Sequence, residues 1–402
     1  MCWYFDTMNY PQNVALERQR LDESHSLNEG EEHHYRLWQD YTSPYSQKVM
    51  AYLHYKGIAY KRIQTTRHDY MTLIPSLVGR SIIPLLVTPD NTILQDSTPT
   101  IEWLEERHPK PASVPTDPRL AFVMWICEEF ADEYLPRIHM HTRWGCELNR
   151  TALSHRIARG LTRGEYPVDH TAFAEQFAQR QSGFDFHLGI DCKAVRESLD
   201  QQIQDLLAIL EAHFLHYNFL LGFRPSIADF AFFGPLRTHL FNDPASAVTM
   251  EVHAPRTCRW LDTISELGDQ RGCASPSDFG DWLKLDSDYV DTLHELLRFI
   301  GKTFLPFALG NVDAEKLGQK RYSAVIDGVN TQLSTRKYRN WSFEQLQLRY
   351  QTIKSDYRPA LETLLIETGI QPHLMSGGIY HNGLLDESKP PVCRQRWHAK
   401  HA

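Results

Sequence analysis

The chain has 402 residues, 42% of them hydrophobic and 23% charged, with a net charge of −8; at roughly 150 residues per domain this suits a soluble globular protein of two domains plus extensions. The acidic balance and a pI near 6.2 exclude the basic stripe that a phosphate backbone selects, so nucleic acid is not an expected partner. No run approaches the roughly 20 apolar residues of a membrane span, residues Met1 to Gly30 lack a basic-then-apolar leader, and the seven scattered cysteines never form a C-x-x-C pair, so free thiols and a cytoplasmic location are expected.

Residues 1–34 are polar and aperiodic and read as an N-terminal extension. From Tyr35 a strand (Tyr35 to Trp38) turns at Tyr41-Thr42-Ser43-Pro44 into a helix carrying Val49 and Leu53 and stopping at Gly57; proline suits the first helical position, with Thr42 or Ser43 as cap. Tyr60 to Gln64 reads as a second strand, and Ile82 to Val87, the turn Pro89-Asp90-Asn91 and Thr92 to Leu94 as a hairpin. Ser97 to Arg107 has Ile101 and Leu104 on one helical face. This β-α-β, β-β-α order over 35–109 is that of a thioredoxin-like domain. The proline-rich stretch 110–118 reads as a linker, 119–269 as an all-helical domain and 270–402 as a helical C-terminal extension. Helical spacing is clearest at Leu199, Ile203, Leu206 and Leu210. Segment 142–196 is long for a connection between helices.

Three short motifs carry chemistry. Ser43 at a helix start faces unsatisfied N–H groups and a partial positive potential, which stabilise a thiolate, especially if the serine hydroxyl donates to the sulfur. Ile83-Pro84 stands at a strand entrance, where a cis bond would turn the Ile83 backbone toward a peptide ligand. Gln95-Asp96-Ser97 precedes a helix, where Ser97 and the first amides hold a carboxylate and Asp96 accepts from an ammonium. Taken singly, each is equally an ordinary cap or an edge proline. Pro225-Ser226-Ile227-Ala228-Asp229 adds a capping box, a folding device with no catalytic role.

In this order, Ser43-Pro44-Tyr45-Ser46-Gln47-Lys48-Val49, Ile83-Pro84-Leu85-Leu86, Gln95-Asp96-Ser97 and the box at Ser226 resemble the glutathione S-transferase superfamily over roughly residues 35–265. The match is to its serine-type members and to bacterial transferase-like proteins with long C-terminal regions. The resemblance implies glutathione as co-substrate, with its thiol activated by Ser43 (alternates Tyr41 and Thr42), its cysteinyl part on Ile83 beside Pro84, and its γ-glutamyl group on Asp96 and Ser97. Arg80 is the nearest candidate for the glycine carboxylate, ahead of Lys48 and Arg67. A small apolar electrophile would then meet Tyr45, Phe130, Tyr134, His141 and Trp144; for the helical residues among these, a core-facing stripe is an equal reading. The resemblance further implies a homodimer. His139-x-His141 and His213-x-x-His216 lack companion ligands, so no metal is expected. The expected reaction is transfer, with lyase, isomerase or dehalogenase variants differing only in the electrophile. A non-catalytic binding or scaffold protein on the same fold is the alternative.

Overall fold

The opening unit forms where the apolar spacing places it. In the computed structural model, which describes residues 34–163, 165, 168–267 and 279–371, β1 (Tyr35–Gln39) runs parallel to β2 (Tyr60–Gln64), with Tyr35 opposite Tyr60. The crossover is α1 (Pro44–Tyr55), which buries Val49, Leu53 and Tyr52 completely. Gly57 follows it at φ +63°, a left-handed conformation that favours glycine. After a π-helical turn (Asp69–Leu73) and the short α2 (Ile74–Val78), β3 (Leu85–Val87) lies antiparallel to β1 and to β4 (Ile93–Gln95). The sheet order is β2-β1-β3-β4, and α3 (Ser97–Arg107) completes the thioredoxin-like domain. The strand expected from Ile82 begins only at Leu85, because Pro84 has no N–H to give the ladder.

Helices then follow: α4 (Pro118–Glu133), α5 (Leu135–Gly145), α6 (Glu147–Leu161), α7 (His170–Ser182), α8 (Asp185–Leu188), α9 (Lys193–His213), α10 (Ile227–Pro235), a π-helical turn (Leu236–Phe241), α11 (Pro244–His253) and α12 (Pro255–Glu266). The segment read as a long connection, 142–196, is therefore filled by α6, α7 and α8. Every residue of α10 is buried. It packs between α1 and α4, with Tyr52 edge-on to Phe230 at 5.9 Å and Phe130 at 5.7 Å from Phe232. The two halves thus share one continuous apolar core.

Beyond these come α13 (Asp291–Lys316), β5 (Arg321–Ile326), β6 (Val329–Ser334), α14 (Lys337–Thr352) and α15 (Arg358–Glu367). The expectation of a purely helical extension is corrected by the β5–β6 hairpin, which turns through Asp327 (φ +48°) and Gly328 (φ +79°), the backbone that a two-residue hairpin turn demands. Helix α14 lies on α3 and α4: Arg349 stacks 4.0 Å above Trp125 and pairs with Glu102, and Tyr350 packs 5.5 Å from Phe122. The expected N-terminal arm lies outside the described residues apart from His34. Among the described residues, no helix is long and apolar enough to cross a membrane.

Candidate active site

The turn between β1 and α1 is braced by Asp40. Its carboxylate accepts from the Thr42 N–H (2.8 Å), the Thr42 hydroxyl and Gln64 Nε2 (2.6 Å), and its carbonyl accepts from the Ser43 N–H (3.0 Å). Ser43 is the N-cap of α1, with extended backbone (φ −88°, ψ 121°) and its Oγ accepting from the Ser46 N–H at 3.3 Å. Its hydroxyl hydrogen has no acceptor among the described residues, so it remains available to a ligand at the positive end of α1. The Thr42 hydroxyl is already committed to Asp40.

Ile83–Pro84 is a cis peptide, one step before the ladder pair Leu85–Gln95. At the other side of the hairpin Asp96 adopts φ +76°, ψ 140°, a region that costs a non-glycine residue of order 1–3 kcal/mol and clusters at functional sites. Ser97 opens α3 beneath it, its Oγ 3.4 Å from Asp132 Oδ2. Lys48 is spent on that floor. Its ammonium contacts Glu128 (2.5 Å), Asp132 (2.6 Å) and the Thr98 hydroxyl (2.9 Å), so it is no candidate for a ligand carboxylate. Arg67 is likewise paired, with Glu165 at 2.5 Å.

Two neighbouring cavities divide the anticipated residues. The larger, about 420 Å³, is lined by Arg80, Ile83, Pro84, Asp96, Ser97 and Tyr45. The smaller, about 50 Å³, is lined by Thr42, Ser43, Tyr45 and Trp144. Tyr45 stands in both walls and donates to the Asp132 carbonyl at 2.9 Å. Burial, then the Glu133 and Asp132 carboxylates, push its phenol well above the usual range, so it stays neutral. Tyr41 lines neither cavity and is 37% exposed; burial followed by Asp40 raises its phenol too.

Phe130, Tyr134 and His141 are not brought to either cavity. The first two are completely buried because α13 covers them: Phe304 meets Phe130 edge-on at 6.4 Å, Phe307 meets Tyr134 at 5.4 Å, and the Tyr134 hydroxyl donates to Gln202. His141 points away and pairs with Asp200 at 2.7 Å.

Sequence reasoning missed His139 and His239 as cavity residues. They line the small cavity with their rings stacked at 4.0 Å, and burial, then the Arg143 charge, holds both well below the usual imidazole range. The Thr238 hydroxyl donates to the Gly234 carbonyl (2.9 Å) and so accepts from His239 Nδ1 (2.7 Å); a neutral His239 then carries its lone pair on Nε2. No periodicity marks these histidines. Arg143 makes a bidentate pair with Asp243 (2.8 and 2.9 Å) and reaches the Thr42 carbonyl at 3.4 Å, tying the helical half to the Ser43 turn.

Close contact at Gly234 sets that turn's depth. A Cβ there would meet the Pro44 carbonyl carbon at 3.0 Å and its oxygen closer still. Gly234→Ala is therefore expected to push α10 off the start of α1 and cost about 1–3 kcal/mol as an overpacked contact. Denaturant unfolding measures this, and an unchanged midpoint would show that the two helices separate freely.

Residues 42–107 match the family described as glutathione S-transferase, N-terminal domain, and residues 187–267 match glutathione S-transferase, C-terminal domain. No curated protein matches the sequence. Among solved structures the chain is similar to the beta-etherase LigF from Sphingobium sp. strain SYK-6, at 18% identity over 57% of this chain and 94% of that one, TM-score 0.41. It is also similar to a glutathione S-transferase from Rhodospirillum rubrum F11 (16%, 60% and 94%, TM-score 0.40). A third is a glutathione transferase family member from Pseudomonas fluorescens Pf-5 with two glutathione bound (15%, 57% and 88%, TM-score 0.37). The first family match contains Ser43, Ile83, Asp96 and Ser97, the second contains Ser226 and Asp229, and everything after residue 267 lies outside both.

Proposed function

Since this chain belongs to the glutathione S-transferase superfamily, we propose that it binds glutathione in the larger cavity, along Ile83, Asp96 and Ser97, and lowers the pKa of the thiol at Ser43 for attack on a small, largely apolar electrophile. The observation that carries this reading is the Ser43 hydroxyl. It caps α1 through its oxygen while its hydrogen has no acceptor among the described residues. A sulfur placed there would receive that hydrogen together with the field of the helix terminus. Starting from a free thiol near ~8.5, a fall of about two units corresponds to about 2.7 kcal/mol, within reach of one charge-assisted hydrogen bond and a helix end.

In this reading Arg80 takes the glycine carboxylate, and the electrophile enters toward Tyr45 and Trp144. The protein works in the cytoplasm as a homodimer, which sedimentation equilibrium tests. A second reading, a non-catalytic ligand-binding protein on the same fold, is favoured by one observation: Ser43 and Ile83 open on different cavities, with Tyr45 between them. Ser43→Ala separates the two. Under the transferase reading, ultraviolet titration of bound glutathione shows its thiol pKa rising by about 1–2 units in the variant, and conjugation rates against a panel of electrophiles fall with it. Absence of glutathione binding at millimolar concentration would sink the reading. A titration unmoved by the substitution would leave a binding protein.

A further inference from the structure

His139 and His239 come from different elements to the wall of the small cavity. His239 lies in the π-helical turn Leu236–Phe241, a geometry that recurs at functional sites, and His139 lies in α5. Both are 4% exposed, and their rings stack at 4.0 Å with 16° between the planes. The turn that carries His239 is tied to the start of α1 in two ways. The Arg143 guanidinium donates to the carbonyls of Thr42 and Thr238, the residues just before Ser43 and His239. The Thr238 hydroxyl donates to the carbonyl of Gly234, which lies against the Pro44 backbone. The histidine pair is thereby fixed relative to the Ser43 turn.

The protonation of each ring follows from its partners. His239 Nδ1 donates to the Thr238 hydroxyl (2.7 Å), whose own hydrogen is on Gly234, so Nε2 is a bare acceptor. His139 Nδ1 is buried and has no hydrogen-bond partner among the described residues. An orphaned buried N–H is rarer than an orphaned acceptor, which puts the lone pair on Nδ1 and the hydrogen on Nε2. Two imidazolium rings at this spacing would repel each other and the Arg143 cation, and burial disfavours charge on either. The neutral stack therefore offers one donor and one acceptor, a few ångströms apart.

Much of the remaining lining is apolar, with Trp144, Ile157, Leu161 and Phe177. The two charged residues in it are already paired, Asp40 with Thr42 and Gln64, and Arg143 with Asp243. A neutral hydroxyl matches this arrangement, since it donates to one ring and accepts from the other. A carboxylate has no hydrogen for His239, an ammonium has no acceptor for His139, and a C–H group leaves both rings unpaired. The cavity of about 50 Å³ exceeds the roughly 10–15 Å³ that a water requires, so a hydroxyl fits.

Resting on the transferase reading above, we infer that the electrophile carries a hydroxyl group and that the histidine stack selects it, His239 Nε2 accepting its hydrogen and His139 Nε2–H donating to its oxygen. The apolar body of the electrophile lies beside Ser43 and Tyr45, where the glutathione sulfur attacks.

Conjugation kinetics on the full chain test this with four probes: phenacyl chloride and its ortho-, meta- and para-hydroxy derivatives, from each of which the sulfur displaces chloride. With each probe's uncatalysed rate divided out, at least one hydroxy derivative is expected to exceed phenacyl chloride by about tenfold or more in kcat/KM in the wild type. His239→Phe keeps a stacked ring without the acceptor, and the preference is expected to fall to less than about twofold. His239→Gln, whose side-chain carbonyl accepts, is expected to restore part of it. If His239→Phe fails to fold, His139→Phe puts the same question to the donor. A purely structural role lowers all four rates together and leaves the preference standing, which overturns the inference. A wild type that binds no glutathione overturns the parent reading and this one with it. A wild type that binds glutathione but conjugates all four probes alike, or none of them, overturns this one alone.

Discussion

Asp229→Ala is expected to destabilise the protein by about 4 kcal/mol or more, since each buried donor left unpaired costs about 1–3 kcal/mol. Asp229 is completely buried and accepts from the Ser226 N–H (2.8 Å), the Ser226 hydroxyl (2.7 Å), the Leu220 N–H (2.8 Å) and Trp260 Nε1 (3.3 Å). One side chain therefore caps α10, secures the loop at Leu220 and anchors α12. Asp229→Asn keeps one acceptor oxygen but turns a donor toward another donor, so its loss should fall between wild type and alanine. Urea unfolding of the three proteins measures this. A difference under about 1 kcal/mol between wild type and Asp229→Ala would mean that the donors find other partners.

The second large effect is expected at Lys48. Its side chain is 1% exposed, and its ammonium lies 2.5 Å from Glu128 and 2.6 Å from Asp132. Burial alone would depress its pKa, but the two carboxylates more than reverse that and raise it. Lys48→Met leaves both acids in the core without their cation, and breaking a buried pair in this way costs about 3–5 kcal/mol. The acids would then take up protons, so the variant's deficit should shrink as pH falls through the carboxylate range. Adding Glu128→Gln and Asp132→Asn to Lys48→Met should recover a large part of the loss, since no charge is then stranded. Denaturant unfolding at two pH values, followed by the triple variant, checks both statements. If the single variant is as stable as wild type at pH 8, the charges are not the structural unit described.

The thioredoxin-like domain was legible because its signals are local. Pro44 can only begin a helix, Gly57 supplies the left-handed end of one, and Pro89-Asp90-Asn91 makes a turn in which Asn91 adopts φ +64°. The Ser226 box was legible for the same reason, as its two members are three residues apart. The hairpin at Asp327-Gly328 carried an equally local signal, an alternating stretch on either side of a two-residue turn, and helical expectation for the whole extension obscured it. Gly234 could be seen in the sequence, but the Pro44 backbone against it could not.

What the sequence determined by itself is therefore the set of elements with short-range causes: the β-α-β and β-β-α units, Ser43 at a helix cap, Pro84 at a strand entrance, and Asp96 with Ser97 at the next helix. What only the tertiary structure decided is who faces whom. Phe130 and Tyr134 have the spacing of a pocket wall, yet Phe304 and Phe307 of α13 turn them into core. Lys48 looks like a free cation, yet α4 brings Glu128 and Asp132 to it. Tyr338 carries no motif, yet α14 brings it to the cavity that Asp96 lines. Helical periodicity reports that one face of a helix will be covered, but the hydrophobic effect is non-directional and does not name the covering partner. That choice depends on contacts between residues far apart in the chain, which become defined only when all the layers are packed together.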